Sequence, residues 1–172
     1  GGLRHAGPYH SQNTEAWFYR TPGLKIVVPS TPADARALMA SAVADPDPVL
    51  YYEHIALYRD PRIKQILSAD APAPIPIGRA ALRREGDNLV IISYGAYVHA
   101  ALRVAARLAD DGIQSSVLDL RSLAPLDRDP GAAAAGGEVV AEADLVVAFE
   151  RPVVGVDAVV ALRARGGRQQ AL

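Results

Sequence analysis

Two apolar runs flank one strongly amphipathic stretch in this chain, and that arrangement constrains the fold more than any other feature. Leu89 to Ser93 reads as a buried strand, with Tyr94-Gly95 as its turn. Residues 97–110 then set Val98, Ala101, Leu102, Ala105 and Leu108 on one stripe at helical spacing, and Asp111-Gly112 ends the helix. Val117 to Leu120 is the next apolar run. Strand, helix and strand within about 30 residues make a βαβ unit, whose strands are expected to lie parallel with a right-handed crossover. Leu145 to Phe149 is expected to add one more parallel strand. The chain is therefore α/β.

The residues before this unit read the same way. Residues 11–20 suit a short helix capped by Ser11 and ended by Pro22-Gly23. Leu24 to Val28 suits a buried strand. Thr31 suits an N-cap, Pro32 the first helical position, and Asp34 the positive end of the helix dipole. The helix so begun runs to about Val43, with Ala35, Leu38, Met39, Ala42 and Val43 expected on its apolar face. Asp45-Pro46-Asp47-Pro48 stops it, and Val49 to Tyr52 is another strand. Prolines 61, 72, 74 and 76 then remove backbone donors from residues 60–77, which read as an interdomain linker. The expected division is a first unit over 1–59, a linker over 60–77, and a second unit over 78–172. Beyond residue 130 the chain is rich in Ala, Gly, Val and Arg with weak periodicity. A surface helical region and an aberrant reading frame both account for that.

Composition narrows the function classes. Half of the 172 residues are apolar, enough for a core. The 18 basic and 19 acidic side chains are well mixed, so no basic block invites nucleic acid. With no cysteine there are no disulfides and no thiolate chemistry. No apolar run approaches the ~20 residues of a membrane helix, and no signal peptide is visible, so a cytoplasmic protein is expected. Phosphate-loop, dinucleotide and Gly-x-Ser-x-Gly motifs are missing. The opening at Gly1-Gly2 reads as the middle of a glycine-rich loop, so the chain is expected to belong to something longer.

Three stretches carry more specific information. The first is Tyr9-His10-Ser11-Gln12, then Glu15-Ala16-Trp17-Phe18 and Pro22-Gly23-Leu24-Lys25-Ile26-Val27-Val28-Pro29-Ser30. The second is Asp45-Pro46-Asp47-Pro48-Val49-Leu50-Tyr51-Tyr52-Glu53-His54, followed by Leu57-Tyr58-Arg59. The third is Pro76-Ile77-Gly78-Arg79-Ala80, then Ile92-Ser93-Tyr94-Gly95, then residues 117–127 from Val117 through Asp119-Leu120-Arg121 to Asp127. In order and spacing, residues 1–129 resemble the beta subunits of thiamine-diphosphate-dependent 2-oxoacid dehydrogenases of the branched-chain and pyruvate types. After Asp129 the likeness fades, and a frameshift is one account of that.

The resemblance implies part of a thiamine-diphosphate pyrimidine-binding domain followed by a transketolase C-terminal-like domain with a parallel or mixed sheet. It also implies an α2β2 heterotetramer. In the family the alpha subunit holds the diphosphate and its magnesium, and the beta subunit holds the aminopyrimidine beside an activating glutamate. That glutamate is expected before Gly1, so this chain alone is expected to be inactive. The implied reaction is oxidative decarboxylation of a branched-chain 2-oxoacid with acyl transfer to lipoyl groups. Pyruvate is the second choice of substrate, and acetoin cleavage or a transketolase-like activity are further ones. A different class is a non-catalytic fragment that docks to the lipoyl acyltransferase core.

His10 matches the family's active-site histidine, a group able to move protons near neutral pH. By its own pattern, a lone histidine before a helix is a surface or capping residue. Ala42, Val43, Asp45 and Asp47 match a monovalent-cation loop, for potassium, in which the last carbonyls of a helix lack intrahelical partners; the bland reading is a helix stop. Glu53, His54, Tyr58 and Arg59 form a polar cluster with a branched-chain look, and anchoring a loop is their bland role. Asp119 and Arg121, at a strand's carboxyl end, are expected to pair as ions. His99 is expected to be structural or exposed, and His5 has no supporting pattern.

Overall fold

The computed structural model describes residues 12–128 and the backbone of two further strands at 145–148 and 159–163. The first unit opens with α1 (Glu15–Phe18), one turn long, and Gly23 at φ 84° turns the chain into β1 (Lys25–Val27). Ser11, expected to cap α1, lies outside the described residues, and Thr14 at the cap position makes no side-chain capping bond.

The helix α2 (Pro32–Ala44) starts as expected: Thr31 Oγ1 accepts from the Asp34 amide at 3.2 Å, and Pro32 takes the first turn. Of its expected apolar face only Leu38 is fully buried. Asp34, Ala37 and Leu38 are buried, whereas Met39 is 43% exposed and Val43 80% exposed. The helix is apolar nearly all round, so hydrophobicity alone does not orient it. Asp34 does, because its carboxylate meets two arginines of the second unit. β2 (Val49–Tyr51) follows and pairs in parallel with β1, Ile26 opposite Leu50.

The expected linker is not a loose tether. After the single turns Ile55–Leu57 and Pro61–Ile63 it runs against α2. Gln65 Oε1 accepts from the Ala33 amide at 2.8 Å, in the helix's first turn. Arg36 donates to the carbonyls of Ser68 and Asp70, and Ser41 to that of Ile75 at 2.6 Å.

The second unit begins with β3 (Ala81–Arg84), which sequence reading did not find. β4 (Leu89–Ser93), α3 (Tyr97–Asp110) and β5 (Ser115–Asp119) form the expected unit, with β4 and β5 parallel from Leu89 opposite Ser115 to Ser93 opposite Asp119. Val98, Ala101 and Ala105 pack from α3 onto Ile91 and Val117, with Leu102 and Leu108 at the edge of that cluster. β6 (Ser122–Ala124) leaves this sheet and pairs antiparallel with β1, so the first sheet has the order β2-β1-β6. The second has the order β3-β5-β4-β8-β7, where β7 is Leu145–Ala148 and β8 is Val159–Arg163. β7 was expected as a parallel strand. It does run in the same direction as β4 and β5, but it is bonded to neither: the unexpected β8 lies between β4 and β7 and is antiparallel to both, so the sheet is mixed.

Candidate active-site cleft

β1 and β2 both deliver their carboxyl ends to one place, where α/β folds gather ligands. Beyond them come Val28 from β1 and Tyr52, Glu53 and His54 from β2. The opposite wall is the turn after β4: Tyr94, Gly95, Ala96 and Tyr97, leading into α3. Gln12, Asn13 and Glu15, before and in α1, close the cleft. It is thus built from both units.

Local bonds fix each wall. The Tyr52 amide donates to Val27 O at 2.9 Å, and the Tyr52 hydroxyl lies 3.3 Å from Thr14 Oγ1, which ties the start of α1 to the end of β2. His54 Nδ1 accepts from the Ala56 amide at 3.2 Å, capping the following turn, so that nitrogen carries no proton. Tyr58 donates to Glu53 Oε2 at 2.9 Å, and the same bond raises the Tyr58 pKa. The polar cluster at 53–59 therefore does anchor its loop, while Glu53 and His54 also face the cleft. On the other wall Gly95 sits at φ 55°, and a Cβ there would come 3.1 Å from Val28 Cγ1. Glycine lets the walls approach. The result is a narrow cleft with two carboxylates, one imidazole and three phenols, a set suited to holding and moving protons.

Behind the cleft the units are joined by buried charge. Asp119, fully buried at the end of β5, accepts from Arg83 (Nη2 2.8 Å, Nε 3.1 Å), from Ser30 Oγ at 2.5 Å and from the Arg121 amide at 3.1 Å. Arg83 also pairs with Asp34, and Arg121 lies 3.4 Å from Asp34 Oδ1. The expected Asp119–Arg121 ion pair is thus replaced by two crossed pairs, Asp119 with Arg83 and Asp34 with Arg121, bridged by Arg83. Arg121 is held at φ 56°, with its guanidinium on the carbonyls of Arg79 and Ala80 and its own carbonyl accepting from Val28 N at 2.8 Å. Burial holds its pKa below the ordinary guanidinium value. His99, expected to be structural or exposed, is half-buried and bonded: its Nε2 lies 2.7 Å from Ser30 O, which can only accept, so Nε2 carries the proton.

Two chain regions match family models: residues 1–61 match the transketolase pyrimidine-binding domain, and residues 78–162 match the transketolase C-terminal domain. The chain belongs to the transketolase family. It is 48% identical over 132 residues to 2-oxoisovalerate dehydrogenase subunit beta of Bacillus subtilis, covering 75% of this chain and 38% of that protein. It is 43% identical over 129 residues to the pyruvate dehydrogenase E1 component subunit beta of the same organism, covering 75% and 39%. The chain thus spans about two fifths of these relatives. Among solved structures, a split-gene transketolase in an inactive beta4 tetramer matches with a TM-score of 0.55 and 25% identity, over 73% of this chain and 40% of that one. A transketolase from Pichia stipitis matches with a TM-score of 0.50 and 19% identity, over 72% and 18%, which bears on the fold.

Within this family frame, His10 lies outside the described residues, two positions before the cleft residue Gln12. Of the four cation-loop residues, Ala42 and Val43 lie in the last turn of α2, Asp45 stands at its C-cap and Asp47 follows. Lys25 Nζ, however, lies 2.7 and 2.8 Å from the two Asp45 oxygens and 3.0 Å from Asp47 Oδ2. Its ammonium sits between the two carboxylates, where a bound cation would be expected. The bond to Lys25 holds the Asp45 carboxyl below the usual carboxylate range, and the bonds to Asp45 and Asp47 hold Lys25 above its own. No group of three or more His, Cys, Asp or Glu suited to a metal occurs among the described residues. Sequence reading missed the wall at 94–97, although Tyr94-Gly95 before a helix is the signal that could have found it.

Proposed function

We propose that this chain is part of the beta subunit of a 2-oxoacid dehydrogenase decarboxylase component, acting on branched-chain 2-oxoacids in preference to pyruvate. The observation that carries the reading is a cleft at the carboxyl ends of β1 and β2, built from both transketolase domains, in a chain 48% identical to a 2-oxoisovalerate dehydrogenase beta subunit. The 43% likeness to a pyruvate dehydrogenase subunit makes pyruvate the second reading.

Thiamine diphosphate would supply the electron sink for decarboxylation, with the diphosphate and magnesium on an alpha subunit. The roles of this chain's residues are more limited. His10 is placed by its sequence neighbourhood to move a proton at the reacting centre. Tyr52, Tyr94 and Tyr97 line a site whose phenols can donate hydrogen bonds to an oxoacid or its pyrimidine partner. Glu53 and His54 shape the mouth of the cleft through the loop that they anchor. A potassium ion at the end of α2 would rest on the carbonyls of Ala42 and Val43, with Asp45 and Asp47 kept by Lys25. With the ammonium in place the carboxylates do not fit that ion.

Trp17, Tyr19, Tyr58 and Val43 are large side chains left at least half exposed, the kind of surface that a partner subunit would cover. An α2β2 assembly, an acyltransferase core as acceptor, and a cytoplasmic location belong to the same proposal. No helix among the described residues is long and apolar enough to cross a membrane.

The test is His10→Ala in the full-length gene product assembled with its alpha subunit. Single-turnover decarboxylation and transfer to a free lipoyl domain are measured separately. A loss of about 10²-fold or more in either step supports proton work by His10. Unchanged rates in both would remove His10 from the reaction.

A further inference from the structure

We propose that Ser30 is the point at which the second unit grips the end of β1, and that His99 and Asp119 are positioning residues that keep the two walls of the cleft in register. This rests on the reading of the cleft as the active site.

Ser30 lies two residues beyond Val28, which forms the cleft wall. It is fully buried, and two groups from different elements hold its two polar ends. His99, in the first turn of α3, donates Nε2–H to the Ser30 carbonyl at 2.7 Å. Asp119, at the end of β5, accepts from the Ser30 hydroxyl at 2.5 Å. The Arg121 carbonyl, just beyond β5, accepts from the Val28 amide at 2.8 Å. Three contacts within three residues fasten the β1 end to α3, to β5 and to the turn after β5. The opposing wall, Tyr94 to Tyr97, is the segment that leads into α3, so His99 ties the two walls together directly: one of its bonds spans from the helix that starts at one wall to the strand end that forms the other. The contact of Val28 Cγ1 with Gly95, where even a Cβ would sit at 3.1 Å, leaves little room for sliding. Neither His99 nor Asp119 lines the cleft, so any effect on chemistry passes through Val28 and the 94–97 turn.

The experiment compares wild type with His99→Leu, His99→Gln and Ser30→Ala in the full-length protein assembled with its alpha subunit. The first readout is amide hydrogen exchange, which needs no activity. His99→Leu should speed exchange about fivefold in peptides covering 27–31 and 94–98 and leave the β4–β5 core unchanged. His99→Gln, which keeps an N–H donor, should restore most of the protection. Ser30→Ala, which keeps the carbonyl but loses the bond to Asp119, should loosen the 27–31 peptide. Unchanged exchange in both His99→Leu and Ser30→Ala would overturn the proposal. The second readout is steady-state decarboxylation of 2-oxoisovalerate. Since a misplacement of about 1 Å can cost about 10²-fold, His99→Leu should lose about tenfold in kcat with KM little changed, rescued by His99→Gln. A lower melting temperature with kcat intact per folded molecule would make His99 merely structural and would also overturn it. An inactive wild type would instead sink the functional reading, and the exchange result would then decide this proposal alone.

Discussion

Asp119→Ala should be among the most damaging single substitutions in the second unit. The carboxylate is fully buried and accepts four hydrogen bonds: three on Oδ2, from Ser30 and twice from Arg83, and one on Oδ1, from the Arg121 amide. With Asp34, Arg83 and Arg121 it makes a cluster of two anions and two cations. Removing one anion leaves a net buried positive charge and strands a hydroxyl and a guanidinium edge. Breaking one partner of a buried pair costs about 3–5 kcal/mol, a large share of the roughly 5–15 kcal/mol that holds a domain folded. The double variant Arg83→Met/Asp119→Leu removes one charge of each sign and leaves Asp34 with Arg121. It should be more stable than Asp119→Ala by about 1–3 kcal/mol, because similar-sized apolar groups can replace a buried pair at little cost. Urea unfolding at constant m-value reads Asp119→Ala, the double variant and its two single parents. A loss below about 1 kcal/mol for Asp119→Ala, or strict additivity of Arg83→Met and Asp119→Leu, would refute the cluster argument.

Other consequences are open to measurement. The Asp45 carboxyl titrates below its unfolded value because Lys25 bonds it, so the pair's stabilisation is present above the unfolded pKa and is lost as pH falls through the folded one; Lys25→Met should flatten the acid limb of a midpoint-versus-pH curve. The Tyr51 hydroxyl, donating to Ala35 O at 2.6 Å, has its pKa pushed up by burial to about 12. The neutral phenol is therefore favoured by folding, and stability should fall as pH rises from 10 toward 12; Tyr51→Phe should remove that slope at a cost of about 1 kcal/mol at neutral pH. Gly86→Ala should destabilise by about 1–3 kcal/mol, since its Cβ would overlap the backbone of Gln114 and Ser115 and push the β3 end off β5; an unchanged melting temperature would contradict that.

How much of this was readable from sequence depends on the range of the forces involved. The β4–α3–β5 unit was plain because its apolar stripe repeats within fourteen residues and packs on its two flanking strands. The start of α2 was plain for the same reason, since Thr31, Pro32 and Asp34 act within one turn. Its buried face was not, because Arg83 and Arg121 select it from 49 and 87 residues away. β3 and β6 escaped notice because each is short, and Arg83 and Arg84 or Ser122 break any alternation. The cation loop was read as a set of oxygen donors, while Lys25, twenty residues upstream and opposite Val49 in the β1–β2 ladder, supplies the positive charge. Glu53 and His54 were visible as a polar cluster, but the wall that faces them comes from another unit.

The most direct test of the central claim is the ratio of kcat/KM for 2-oxoisovalerate and pyruvate, measured on the full-length gene product assembled with its alpha subunit and supplied with thiamine diphosphate and magnesium. Decarboxylation of both is expected, with the branched acid preferred by at least about tenfold, the discrimination that a pocket fitted to extra methyl groups supplies. A preference for pyruvate would contradict the substrate reading, and no turnover of either acid by a well-formed assembly would contradict the enzyme reading itself.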